Sequence, residues 1–326
     1  MAVYSLLCQA ESSLTIGMSS VVFMAAVVTE FRNRGFSAHM DSDYLDAYGQ
    51  DWITSFGSGV ELMSGASHTH EITLRCFFSG NWPPRPAEGF VVDLAINDAQ
   101  ASGDADYVLA IQGTNPQGDF STSESVVPLP VELMSSIHRN IIPGKVGILL
   151  DLDPQSRLVG LVAAMTGGNI TSAEGISLRS DLTGANVINT TKFWEQYTSY
   201  DVVVSSPGAG LFVSGTMGIP SIAVALNPVQ ETRLLGAVAR GRSHFKYIGQ
   251  LSSLSDTAIR GEVRDLLGSQ KSDLALKQAM HVAGLQEVTA SGTYRIAEWL
   301  QRRIITGALT KNPPVPIYTS GHPNAL

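Results

Sequence analysis

A run of small residues offers the clearest chemistry in this chain. Ser205, Ser206, Pro207, Gly208, Ala209 and Gly210 follow the apolar stretch Val202 to Val204. Where a chain leaves a buried strand and enters a helix, such residues leave backbone N–H groups free to meet a phosphate. Turns of this composition also serve simply to pack helix on strand, so the run alone leaves both readings open. Acid–base candidates lie elsewhere. Asp41 and Asp43 follow an apolar stretch ending at Met40, and a carboxylate there could take a proton from a hydroxyl; the same pair also suits a turn held by side-chain to backbone bonds. His68 and His70 stand in SGASHTHE, where either could act as a general base. His-x-His can begin a metal site, but no further ligands follow at matching spacing, so no metal is expected. His244, just before a strand-like run, could meet a phosphate or be a solvated loop residue, and His138 and His281 read as structural.

These residues need a frame, and the hydrophobic pattern supplies an alternating one. Val3 to Cys8 reads as a strand, Met18 to Arg34 as an apolar helix stopped by Gly35, and Phe36 to Met40 as a second strand. Glu71 to Phe78, Phe90 to Ile96 and Tyr107 to Gln112 continue the strand series. Prolines 128, 130 and 143 with Gly144 break the pattern, which restarts at Val146 to Leu150. Further strands are expected at Gly175 to Leu178, Asn186 to Asn189, Asp201 to Ser205, Ser221 to Leu226 and Phe245 to Ile248. Helices are expected at Asp256 to Leu267, Ser272 to Leu285 and Ser291 to Ile305. The expected architecture is α/β: an N-terminal Rossmann-like domain over 1–144 and a C-terminal one over 145–326, facing each other across a ligand cleft.

Composition narrows the function classes. The 326 residues exceed what one core usually organises, and 31 glycines suit many tight turns between strands and helices. A formal charge of −8 with only 21 Lys and Arg argues against a nucleic-acid partner. Cys8 and Cys76 both fall in apolar runs and read as buried free thiols of a reducing compartment. The opening residues lack a basic, apolar leader and no run reaches membrane-spanning length, so a cytoplasmic protein is expected.

Two stretches carry a resemblance to a known family. SSLTIGMSSVVFMAAVVTEFRNRG, Ser12 to Gly35, and GIPSIAVALNPVQ, Gly218 to Gln230, together resemble the GT-B superfamily of nucleotide-sugar enzymes. The similarity is strongest to the UDP-sugar hydrolase of pseudaminic acid biosynthesis and its spore-coat-polysaccharide relatives. That family has an Ala-Ser-x-x-Ile-Gly-x-Gly-His loop in the first stretch, and Gly-[Ile/Leu]-Pro-Ser, a strand and Asp-Asn-Gln in the second. The resemblance implies a nucleotide or nucleotide-sugar ligand, a small-molecule acceptor, no separate cofactor, and the site residues Gly17, Ser206, Gly208, Ala209, Gly210, Asn227, Gln230 and Glu231. Gly17 would let the first loop approach a diphosphate, and the Gln230 amide would meet sugar hydroxyls or phosphate, with Asn227 and Glu231 flanking it. Gln230 and Glu231 would equally suit the first turn of a helix.

The departures decide which chemistry the resemblance allows. Ser20 stands where the family's catalytic His is aligned, Phe23 replaces an Arg, and Val213 takes the position of a ribose-binding Glu. A serine hydroxyl is no unassisted base at neutral pH. The leading expectation is a glycosyltransferase working in biosynthesis, because transfer requires that activated water be excluded. A hydrolase with its base moved to Asp41, Asp43 or a cleft histidine is the first alternative; a GT-B protein that binds nucleotide without catalysis is the second. A homodimer is left open.

Overall fold

A computed structural model describes residues 4–13, 16–56, 59–64, 70–95, 101–110, 127–130, 133, 139–151, 155–178, 184, 186–289 and 291–305. Two parallel six-stranded sheets organise them. The first is built from β1 (Ser5–Ala10), β2 (Ser37–Asp41), β3 (Leu62–Met63), β4 (Ile72–Cys76), β5 (Phe90–Ala95) and β6 (Tyr107–Ala110), in the order β3-β2-β1-β4-β5-β6. The second uses β7 (Lys145–Leu149), β8 (Ser172–Ser177), β9 (Val187–Asn189), β10 (Val202–Ser205), β11 (Ser221–Ala225) and β12 (Phe245–Gln250), in the order β12-β11-β10-β7-β8-β9. Both orders reverse direction once, between β1 and β4 and between β10 and β7. In open sheets such a reversal opens a crevice beyond the carboxyl ends of the strands.

Helices cover these sheets because the strands are apolar on both faces. Every residue of β4, β10 and β11 is buried, as parallel strands under helices require. In the first half, α1 (Ser19–Asn33) and α2 (Ala47–Ser55) follow β1 and β2. The second half adds α3 (Gln155–Ala164), α4 (Trp194–Tyr197), α5 (Ala209–Thr216) and α6 (Pro228–Ala239), then α7 (Asp256–Leu266), α8 (Lys271–Glu287) and α9 (Gly292–Ile305). Helix α1 is buried almost all round, from Ser19 to Val28 without a break, because α9 returns from the chain's end to lie against it.

One apolar core joins the halves. Phe23 of α1 meets Phe212 of α5 at 6.1 Å between ring centroids. Trp52 stacks on Phe56 at 4.8 Å, and Phe56 in turn meets Trp194 of α4 edge-on at 5.7 Å. Such contacts add about 0.5–1.5 kcal/mol each beyond their burial.

The segment after Leu226 is the start of α6, the helix first turn that the sequence left open for Gln230 and Glu231: Asn227 caps it by accepting from the Gln230 N–H at 2.9 Å, and Pro228 opens its first turn. Helix α2 is unannounced by apolar periodicity; Asp46 caps it through the Gly49 N–H at 2.9 Å. Cys8 and Cys76 are buried free thiols, with burial pushing both well above their ordinary range. No described helix is long and apolar enough to cross a membrane.

Candidate functional site

The small-residue turn lies at the reversal point of the second sheet. Ser206 follows β10, and its hydroxyl oxygen accepts from the Asp151 N–H at 2.9 Å, tying the turn to the carboxyl end of β7. Gly208 then adopts φ +145°, a backbone that side-chain-bearing residues rarely take, and α5 begins at Ala209. The Ala209 N–H is the kind of donor that meets a phosphate oxygen. Here it meets the Ser19 hydroxyl of the first half at 3.0 Å. Ser19 in turn donates to Asp151 Oδ2 at 2.7 Å, while Asp151 Oδ1 accepts from the Met18 N–H at 3.1 Å. A Cβ on Gly208 would come within 2.1 Å of Ser19 Oγ, so glycine is what lets the halves close.

Asp151 carries the electrostatics of this contact. Its carboxylate is enclosed although the residue keeps some exposure. Burial pushes its pKa up, and the bonds from Ser19 and from the Met18 and Ser19 backbone only partly offset that push. The carboxylate sits at the amino end of α1, where the helix dipole favours negative charge. It also lies beside the start of α5, where an incoming phosphate would meet its repulsion.

A cavity extends from this contact along the groove between α5 and α6. Ile16, Ser19, Phe23 and Phe78 come from the first half; Asp151, Gly208, Leu211, Gln230, Arg233, Arg242 and His244 are among those from the second. It encloses about 50 Å³ of free space within about 730 Å³ that includes its open mouth. Arg233 closes part of it, bonding to the Phe78 carbonyl and lying over the Phe78 ring at 5.3 Å. Burial lowers the Arg233 pKa against the support of nearby Glu11. Glu11, beyond the carboxyl end of β1, accepts from the Ser79 N–H and hydroxyl at 2.6 Å each. A second, polar groove of about 520 Å³ lies between α2 and the carboxyl ends of β8 and β9, lined by Tyr48, Asp51, Asn189 and Thr190 among others. That volume is within the range of small-molecule sites.

The sequence candidates fall into separate groups. Gly17 (φ +89°) closes a tight turn onto Ser13 before α1, and Gly208 and Gln230 line the cavity. Ala209 and Gly210 open α5. Gln230 is 4% exposed, and its Oε1 accepts from the Leu226 N–H at 2.8 Å, so part of its amide is committed to the start of α6. Asn227 is the helix cap, and Glu231 binds the Tyr247 hydroxyl at 2.8 Å and the Gln250 amide. Those two bonds hold Glu231 below the usual carboxylate range. Ser20 is buried and donates to the Glu11 carbonyl at 2.6 Å; its neighbour Ser19 is the one that faces the cleft.

The acid–base candidates lie away from the cavity lining. Asp41 is buried at the end of β2, accepting from Gln9 Nε2 at 2.8 Å and from the Asp43 N–H at 3.0 Å. That is the geometry of a side-chain-stabilised turn. Asp43 accepts from the Ser64 hydroxyl at 3.0 Å. His70 precedes β4 and so stands at the amino edge of the first sheet, opposite the crevice, its ring 6.3 Å from that of His39. His68 lies outside the described residues. Among the described residues no His, Cys, Asp and Glu cluster could hold a metal.

His244 is the residue that sequence reasoning placed least well. Far from being solvated, it is 3% exposed, with Nδ1 2.6 Å from Glu287 Oε2. Burial raises the Glu287 pKa, but the bonds from His244 and Ser243 outweigh it and hold the carboxyl below its usual range. Only the Ser-His pair before a strand hinted at this, because Glu287 is distant in sequence and reaches the site at the end of α8.

No protein-family model matches the chain, and no curated protein sequence matches it. Solved structures do. The Acinetobacter baumannii MurG structure aligns with TM-score 0.54 at 12% identity, over 92% of this chain and 99% of that one. A UDP-N-acetylglucosamine 2-epimerase aligns with TM-score 0.53 at 10% identity, over 95% and 98%. The spinosyn rhamnosyltransferase SpnG, complexed with spinosyn aglycone, aligns with TM-score 0.56 at 11% identity, over 90% and 100%.

Proposed function

From the shared GT-B fold, we propose that this chain is a glycosyltransferase that takes a sugar from a nucleotide donor to a small-molecule acceptor. The observation that carries the reading is the Ala209 N–H at the reversal point of the second sheet, filled by an oxygen of the opposite half at 3.0 Å. A phosphate oxygen of the donor would replace Ser19 there, and the polar groove along β8 and β9 would take the rest of the nucleotide. On this reading Gln230 presents its amide to the sugar or phosphate. The division at 144/145 belongs to the same proposal, with one half offering each side of the cleft. The solved structures aligned above include transferases and an enzyme of UDP-N-acetylglucosamine, which supports the donor class without fixing it. The finer likeness to the pseudaminic-acid hydrolase rests on the two sequence stretches alone.

A second reading has its own support. Ser20, Phe23 and Val213 stand where the resembled family keeps its catalytic and ligand-binding residues, as suits a GT-B protein that binds its ligand without turning it over. A screen of UDP, dTDP, GDP, CMP and their sugars separates the readings. A ligand at 100 times its Kd adds about 2.7 kcal/mol of stability, and a melting transition unmoved by the whole set sinks all three readings: transfer, hydrolysis and binding without turnover. Sugar release that depends on an added acceptor supports transfer. Release with water alone supports the hydrolase with a relocated base, and binding without release supports the degenerate protein.

A further inference from the structure

Arg233 spans the mouth of the cavity between α5 and α6 with half of its hydrogen-bonding fork unused. Its stem leaves α6 one turn after Gln230, and its head reaches the first half, where Nη2 donates to the Phe78 carbonyl and the guanidinium lies over the Phe78 ring at 5.3 Å. Both residues line the cavity, so the guanidinium that joins them stands at its edge. Nε, on the same side of the guanidinium as Nη2, is buried with no hydrogen-bond partner among the described residues. That side is the planar pair of donors that fits the two oxygens of a carboxylate. Here it holds one neutral carbonyl. The carboxylates nearby are committed elsewhere. Glu11 supports the Arg233 charge from outside the cavity lining, but its two oxygens accept from the Ser79 N–H and hydroxyl. Asp151 accepts from the Ser19 hydroxyl and the Met18 N–H. Arg242, the other arginine of the lining, has Glu287 beside it. Burial works against the charge on Arg233, and an arriving carboxylate would offset that burden.

The rest of the cavity sets the body of the ligand. Its walls are Leu211, Phe212, Leu234 and Phe245, with Phe23 and Phe78 from the first half. Such walls gain from apolar surface and would leave most of the hydroxyls of a sugar acid unpaired. We propose that this groove binds a small apolar molecule ending in a carboxylate, an aryl or alkyl carboxylic acid, held by the Nε and Nη2 donors of Arg233. Resting on the transferase reading, that molecule is the acceptor, since the same cavity reaches Ser19, Gly208 and Gln230. The guanidinium lifts from the Phe78 carbonyl to take the acid, exchanging a neutral acceptor for a charged one. Arg233 is only half-buried, which leaves its head room to move.

The test uses the intact protein at neutral pH with 4-ethylbenzoate, its uncharged counterpart 4-ethylbenzamide, and glucuronate, which carries the same charge on a polar body. Calorimetry is expected to find the benzoate binding about tenfold more tightly than the amide, the value of one charge-assisted hydrogen bond, and more tightly than glucuronate. The ¹⁵N resonance of Arg233 Nε should move with the benzoate and not with the amide. Arg233→Met keeps an apolar stem and should bring the benzoate-to-amide ratio to about one. If that variant does not fold, the wild-type resonance carries the test. No benzoate binding, equal binding of benzoate and amide, an unmoved resonance, a ratio that Arg233→Met leaves unchanged or a preference for glucuronate overturns the proposal. Nucleotide binding measured on the same preparations keeps the two ideas apart. A nucleotide response without benzoate binding removes only this inference, and benzoate binding without any nucleotide response removes only the transferase reading.

Discussion

Asp151 and Ser19 show how much a single register step matters within a helix. Ser19 and Ser20 are adjacent and chemically identical, yet one bridges the halves and the other is spent on the Glu11 carbonyl. Because burial raises the Asp151 pKa in the folded protein, its ionisation works against folding. Stability on its account is full below the unfolded carboxyl value near 3.8 and is lost as pH rises through the higher folded one. Denaturant titrations from pH 3 upward should therefore find Asp151→Asn gaining on the wild type as pH rises, with a slope no steeper than about 1.4 kcal/mol per pH unit. A constant difference would mean that the carboxylate titrates normally. Gly208→Ala tests the same contact sterically, with an expected loss of about 1–3 kcal/mol from the φ +145° backbone alone. An unchanged melting temperature would remove the closed contact from consideration.

Between elements, the firmest tie is one that the sequence did not flag. Arg75 of β4 is fully buried, bonding Asp93 of β5 at 2.7 Å, Asp104 at 2.6 Å and the Pro83 carbonyl at 3.0 Å. It pins the long connections around β5 to the sheet. Arg75→Met should cost about 3–5 kcal/mol because it leaves buried Asp93 without its counter-charge, and chemical denaturation of Arg75→Met with and without Asp93→Asn would show it. Recovery in the double variant is expected, and its absence would point to lost packing instead. Buried strands such as Val202–Ser205 and Ser221–Ala225 were legible because β-branched runs have few other uses. Helix α2, with Gly49 and polar residues in its first turns, and the two-residue β3 carry too little periodicity to read. The start of α6 was readable in principle, since Asn227 before Pro228 is a cap followed by a first-turn proline. The pairing of His244 with Glu287 was not, because 43 residues separate partners that only the fold brings together.

At the scale of the molecule, the halves share a core as well as a cleft. Phe212 of α5 packs on Phe23 of α1, so any opening that admits a nucleotide must part apolar surfaces as well as the Ser19 contact. Phe212→Ala should destabilise the protein by about 3–5 kcal/mol, and hydrogen exchange should rise in both α1 and α5. Faster exchange in α5 alone would mean that the halves are held elsewhere. The aromatic seam offers a direct view of such movement. Trp52 and Trp194 flank Phe56 from opposite halves, whereas Trp82 and Trp299 stand in the first half and on α9. Their intrinsic emission is thus a built-in optical gauge of the gap, shifting to longer wavelength as the seam becomes wet and returning as it closes, with no dye attached.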